Sequence, residues 1–440
     1  MRGTSESMKK WGIFMAIIVL VALVLPFFIY SLIPKQRVEK RYVLRDIDTI
    51  EDLLRFGDIS TINENLLKNM VRELDYLKVS LPEKFHRMDF FLKVQPILSK
   101  ANDQNTEIIF GVPSYYPVMP FKARFVDERL FVIESIDNKL KPGDEITSVN
   151  EKDIESFFKY LKSLVSADSE ALLCKKMENR FWQLPFIERR EKFTLEIKNR
   201  GKVAVSFIPK KAYIEKLRKI KEHEWDYKFE VKNSIGMLKF RTFNLYGQDI
   251  QNLEDDLKRA ASMNLKYFII DVRDCTGGNL NTALKVLSYF TSKEIILKRD
   301  YILRISKYCG GSEGGGKLQK RTKTYHIKPK TPKISSKLII LVDRTTSNEA
   351  LDFAYIVKKA GLGKIYGEVP DQKLDHTFMV SGKSLPAVKM FAAVSCAKWD
   401  EKGKLKIDKM IELENKDYIK YISGKDDILF NKVIDDFKSF

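Results

Sequence analysis

Three short segments hold residues whose types and spacing could do chemistry. Ser347 lies in Thr345–Thr346–Ser347–Asn348–Glu349, between an apolar run and a helical pattern. A serine at such a strand-to-helix turn presents its Oγ at the edge of an α/β sheet, although the same residue type is also an ordinary helix cap. Lys373 follows 26 positions later, in Gly367–Glu368–Val369–Pro370–Asp371–Gln372–Lys373. An amine whose pKa is lowered by burial can act as general base, whereas a solvated lysine cannot. Gly277 and Gly278 end Asp271–Val272–Arg273–Asp274–Cys275–Thr276–Gly277–Gly278. Paired glycines before a helix can be purely structural. They can also turn backbone N–H groups toward an anion, and an oxyanion is one such anion.

The elements that must position these residues are legible. From about 235 onward, strands and helices alternate: IGMLKFRTF, DIQNLEDDLKRAASM, KYFIIDVRD, NTALKVLSYF, KLIILVDR, SNEALDFAYIVKKAG and GKIYGEV. Continuous apolar strands between amphipathic helices predict a layered α/β core. Residues 40–105 read as helical, with Ile62, Leu66, Leu67, Met70, Val71, Leu74 and Leu77 at spacings of three and four. RLFVIESI, KLKPGDEITSVN and DIESFFKYLKSL predict a strand, a turn with a second strand, and a helix; 190–210 reads as a hairpin turning at Asn199–Arg200–Gly201. The stretch from Cys309 to Ser336 shows no period and reads as a loop, with eight Lys and Arg between Lys317 and Lys337.

Composition bounds the rest. The chain has 440 residues, 44% hydrophobic, with 78 Lys+Arg against 59 Asp+Glu and a net charge of +19. That excludes collagen-like and fully disordered chains and allows two or three domains. The four cysteines, Cys174, Cys275, Cys309 and Cys396, form no close pair, so neither a thiolate zinc site nor a disulfide framework is expected. Four histidines give a His-rich metal centre little to draw on. No zinc finger, RNA-recognition signature or basic heptad array is present, so nucleic acid is not an expected partner.

Residues 11–34, WGIFMAIIVLVALVLPFFIYSLIP, carry no charge and are long enough to span a bilayer. No small-x-small cleavage site follows, so an uncleaved anchor is expected after a short tail at 1–10. Basic residues on both sides leave orientation open by charge alone; the soluble part is expected on the extracytoplasmic side.

These segments, in this order, resemble the C-terminal processing (tail-specific) serine protease family. PFKARFVDERLFVIESIDNKLKPGDEITSVNEKDIESFF resembles its PDZ-like segment, YFIIDVRDCTGGNLNTALKVL its strand–Arg–x–x–x–Gly-Gly element, KLIILVDRTTSNEALDFA its nucleophile segment, GKIYGEVPDQK the strand and loop after it, and ISGKDDILFNKVIDDF its C-terminal helix. The resemblance implies a crotonase-like α/β core at 235–440, a PDZ-like segment at 116–166, a helical region at 35–115 and connecting helices with a hairpin at 167–234. It implies peptide-bond hydrolysis of protein or peptide substrates, without metal or organic cofactor. Ser347 becomes the nucleophile, with Thr346 as alternative, Lys373 the general base, and Gly277 and Gly278 the oxyanion loop. Glu349 lies two places after Ser347 where the family has a Glu three places on, and Gln372–Lys373–Leu374 replaces its Gly-Lys-Gly. A second branch carries Asp-x-His-Thr, which here is Asp103–Gln104–Asn105–Thr106; Asn105 cannot act as a base, and His376 could substitute for it but is read as a loop histidine, since nothing in the sequence places it at Ser347. A non-catalytic relative that binds peptides at the membrane is therefore the competing reading, and a crotonase-like thioester enzyme a third.

Overall fold

The computed structural model describes residues 37–220, 226–275, 277–311 and 315–438. The apolar segment 11–34 lies outside them, and among the described residues no helix is long and apolar enough to cross a membrane.

The core sheet runs Tyr227–Lys232, Ile235–Phe240, Tyr267–Asp271, Lys337–Val342, Lys364–Gly367, Lys409–Met410. The first pair is antiparallel and the others parallel. Tyr267–Asp271 is buried throughout because both faces are covered. Phe268, Ile270, Leu338, Ile340 and Val342 pack with Leu253, Leu257, Leu284 and Phe353 of three helices. Ile269, Ile339 and Leu341 face the other way, onto Tyr418, Leu429 and Val433 of the two C-terminal helices. A strand buried on both faces reads as one continuous apolar run, which is why these strands were legible.

A second, antiparallel sheet orders Lys317–Ile327, Ile295–Ile305, Met390–Trp399 and Thr377–Leu385. Here the expectation of a patternless loop is corrected. Lys317–Ile327 is an 11-residue edge strand, and its first eight residues are exposed whichever face they point to. With neither face buried, alternation has nothing to record, and the lysines suit an edge that must not pair further. The expectation of no disulfide is corrected as well: Cys309 and Cys396, 87 residues apart in sequence, are bonded. Sequence spacing cannot report that the second sheet brings them together. Cys174 and Cys275 are free and buried.

A third sheet runs Gly201–Ser206, Lys192–Ile197, Glu145–Val149, Arg129–Ser135, Phe121–Val126. The predicted hairpin thus extends the sheet of the 116–166 segment. This sheet shares one apolar core with helices Lys40–Phe56, Glu64–Ser80 and Arg87–Leu98. In the first of these, Val43, Ile47, Ile50, Leu53 and Leu54 are the buried stripe, at the spacing expected of an amphipathic helix.

Candidate active site

The strands Tyr267–Asp271 and Lys337–Val342 lie side by side and parallel, so the turns at their C-terminal ends meet. Ser347 N–H donates to Cys275 O at 3.3 Å, joining the two turns. Gly277 and Gly278 have φ of +102° and +125°, which favour glycine. A Cβ on Gly277 would lie 2.3 Å from Glu349 Oε2 and one on Gly278 2.8 Å from Asn244. The glycines are therefore required by close packing as well as by backbone shape.

Ser347 is 1% exposed, and its Oγ has no hydrogen-bond partner among the described residues. It is not the helix cap. The residue before helix Glu349–Ala360 is Asn348, at φ +56° and ψ −130°, and its side chain caps nothing. Asn348 thus holds the strained position of the strand-to-helix turn, the place a nucleophile elbow exposes. Thr346 is committed elsewhere: its Oγ1 donates toward Val272 O at 3.1 Å and Asp343 Oδ1 at 3.0 Å and accepts from Asp343 N–H. Asp343 also accepts from Thr345 and from Asp274 N–H, and burial, then the neighbouring Asp274, pushes its carboxyl above the ordinary range.

Lys373 is not joined to Ser347. It is exposed and lines a cleft of about 440 Å³ with Asp168, His376, Asn102 and Leu318. Its neighbour Gln372 is the residue that reaches the turn. Gln372 is buried, accepts from Asn348 N–H at 2.6 Å, and directs Nε2 at Asp168 (2.9 Å), Gln104 Oε1 (3.1 Å) and Asn348 Oδ1 (3.2 Å). Asp168, Asn348 and Gln372 were not singled out in the sequence. The only sequence signal for Gln372 is its place beside Lys373.

His376 is buried, with Nε2 3.0 Å from Asp352 and Nδ1 3.2 Å from Thr377 O. Burial opposes its charge, but Asp352 outweighs burial and raises its pKa. Both nitrogens face acceptors, which is the arrangement of an imidazolium donor and not of a base. Arg299 completes the cluster at 2.5 Å from Asp352.

The Asp103–Thr106 segment is a clasp. Asp103 accepts from Thr106 Oγ1, Thr377 Oγ1 and Ser395 Oγ, and Asn105 Nδ2 donates to Ser395 Oγ at 3.0 Å. Arg273, of the Arg–x–x–x–Gly-Gly element, is likewise structural: fully buried, it pairs with Asp271 and Asp427.

Comparison with known proteins fits this layout. Residues 234–393 match peptidase family S41. This part of the chain resembles the core of that family. Its class is that of a serine-type peptidase, a hydrolase. No curated protein matches the sequence. Among solved structures, mature CPAF is similar at a TM-score of 0.63 and 12% identity, over 88% of this chain and 95% of that one. Mature CPAF complexed with lactacystin is similar at 0.63 and 11%, over 91% and 98%. At such identities the likeness is one of fold. The matched region ends in the second sheet and holds Gly277, Gly278, Ser347 and Lys373 but not the Asp103–Thr106 clasp.

Proposed function

We propose that the chain is a membrane-anchored serine peptidase that hydrolyses protein or peptide substrates, with Ser347 as nucleophile. The observation that carries this is the buried Ser347 Oγ, which neither caps the helix nor bonds to any described residue. A hydroxyl left unsatisfied at a strand-to-helix turn costs stability and calls for a functional reason. Ser347 Oγ would attack the peptide carbonyl and pass its proton to Lys373. Gly278 N–H would bind the oxyanion, the leaving amine would take the proton, and water would hydrolyse the acyl ester. Such a cycle needs Lys373 to swing in from the cleft. The sheet carrying residues 116–166 would act as the PDZ-like peptide holder. The uncharged 11–34 segment supports the anchor, and the Cys309–Cys396 bond supports an extracytoplasmic, oxidising location.

A second reading has its own support. Asn348 occupies the strained turn position and Asn105 the place of the family histidine, and neither side chain can act as nucleophile or base. Such a chain would hold peptides without cutting them. A fluorophosphonate probe separates the two. Label on Ser347, absent from Ser347→Ala, supports hydrolysis. A folded protein that takes no label, and still binds a peptide, supports the holder.

A further inference from the structure

Glu349 is the first residue of its helix, and an acid there is ordinarily explained by the helix's own positive end. Its principal partner is elsewhere. Oε2 accepts the N–H of Gly278 at 3.0 Å, across 71 positions of sequence. It lies so close to Gly277 that no β-carbon fits between them. No Lys, Arg or His forms an ion pair with it among the described residues: backbone N–H groups hold the carboxylate directly, with His376 favouring its charge and Asp352 opposing it from further off. Burial pushes its carboxyl above the ordinary glutamate range, with the Gly278 N–H opposing that rise. Two residues before it, Ser347 Oγ is buried and unpartnered.

We propose that Glu349 gates the nucleophile: its carboxylate fills, from within the chain, an anion seat on Gly278 N–H that an oxyanion or an external carboxylate takes only when Glu349 leaves. The inference rests on the reading of Ser347 and Gly278 as reacting groups. The geometry follows from chemistry common to both occupants. A carboxylate oxygen and a tetrahedral oxyanion are each a compact negative oxygen, and each is satisfied by an oriented backbone N–H. Two such oxygens cannot share one N–H at 3 Å, because like charges at that distance repel strongly in a site shielded from water. The gate is therefore exclusive. In this state the turn is complete and stable but closed to reaction, and Glu349 acts by position without entering the reaction itself.

The test uses the full chain with Glu349→Ala and Glu349→Gln, and Ser347→Ala as control. The first readout is the rate of fluorophosphonate labelling at Ser347. Glu349→Ala is expected to label at least tenfold faster than the parent, and Glu349→Gln, which keeps a neutral acceptor of the same length, in between. The second readout is the Gly278 amide resonance. In Glu349→Ala, sodium acetate is expected to shift it and to slow labelling, against sodium chloride at equal ionic strength; in the parent, acetate is expected to do neither. Equal labelling in parent and Glu349→Ala, with no acetate response, would overturn the gate while keeping Ser347 as nucleophile. An acetate response in Glu349→Ala without label on any variant would support the anion seat and overturn the nucleophile reading. A Glu349→Gln protein that labels as fast as Glu349→Ala, at unchanged melting temperature, would overturn occupancy of the seat as the cause.

Discussion

Arg124, on a strand of the sheet that precedes the core, donates to Asp274 in the turn that carries Gly277 and Gly278, with Nη1 3.1 Å from Oδ1. The same guanidinium binds Glu178 through Nε and Nη2 at 2.9 and 2.7 Å. One buried cation thus ties the sheet that precedes the core to the glycine turn. Burial acts to raise the Asp274 carboxyl, but Arg124 and Lys175 outweigh it and hold it well below the ordinary range.

Arg124→Ala leaves Glu178 buried and unpaired and Asp274 with Lys175 alone. A loss of about 3–5 kcal/mol is expected, the usual effect of removing one member of a buried pair. Denaturant unfolding followed by circular dichroism measures it. A loss under about 1 kcal/mol would mean the clamp is solvated.

Ser347→Ala should leave stability unchanged or raise it by up to about 1 kcal/mol, since the hydroxyl has no bond to lose. A structural cap would instead lose about 1 kcal/mol. Thermal melting of the two proteins side by side decides between these outcomes.

His376 titrates under the hold of Asp352. In Asp352→Asn, burial, the largest cause, and Arg299 remain against the imidazolium, and of the favouring groups only the weaker Asp168 remains. The imidazole pKa is expected to fall below its ordinary value, read from ring-nitrogen shifts in a pH titration. The stabilising contribution of the raised imidazole is fully present below about pH 6.5 and is lost as pH rises through the folded value, so the variant should lack that loss. An imidazole that titrates unchanged would separate His376 from Asp352.

Asp58 is buried, bonded to Ser60 N–H and Thr106 Oγ1, and faces Asp103. Burial first, then Asp103, push its carboxyl up to about 8. A folded pKa above the unfolded one means the folded state holds the proton longer. The contribution is therefore full below about pH 4 and is lost as pH rises toward 8, at no more than about 1.4 kcal/mol per pH unit. Asp58→Asn should flatten stability against pH in that window; parallel curves for parent and variant would refute the assignment.

Reducing the Cys309–Cys396 bond opens the covalent ring that encloses the residues from 309 to 396. Loop entropy alone predicts a loss of about 4–5 kcal/mol for 87 residues, and a range of about 2–5 is usual. The double variant Cys309→Ser, Cys396→Ser compared with the parent under non-reducing conditions gives the number. A peptide map without the linked pair would remove the premise.

The sequence by itself determined the layered core and the order of its chemical segments. Strands such as Tyr267–Asp271 and Lys337–Val342 are buried on both faces, so their apolar runs and the turns after them are local, one-dimensional signals. Gly277, Gly278 and Ser347 were found because those turns punctuate the pattern. Tertiary structure decided what each side chain does there. Asn348, and not Ser347, takes the positive-φ position before the helix. That Gln372 and not Lys373 reaches the turn depends on how a loop crosses the sheet edge. The Gly278–Glu349 contact, the Arg124–Asp274 clamp and the Cys309–Cys396 bond each join residues 71 to 150 positions apart, and no local period encodes such distances. The edge strand Lys317–Ile327 was invisible for the opposite reason: its pairing runs through the backbone ladder, and its first eight side chains are exposed without alternation, so the pattern carries no record of it.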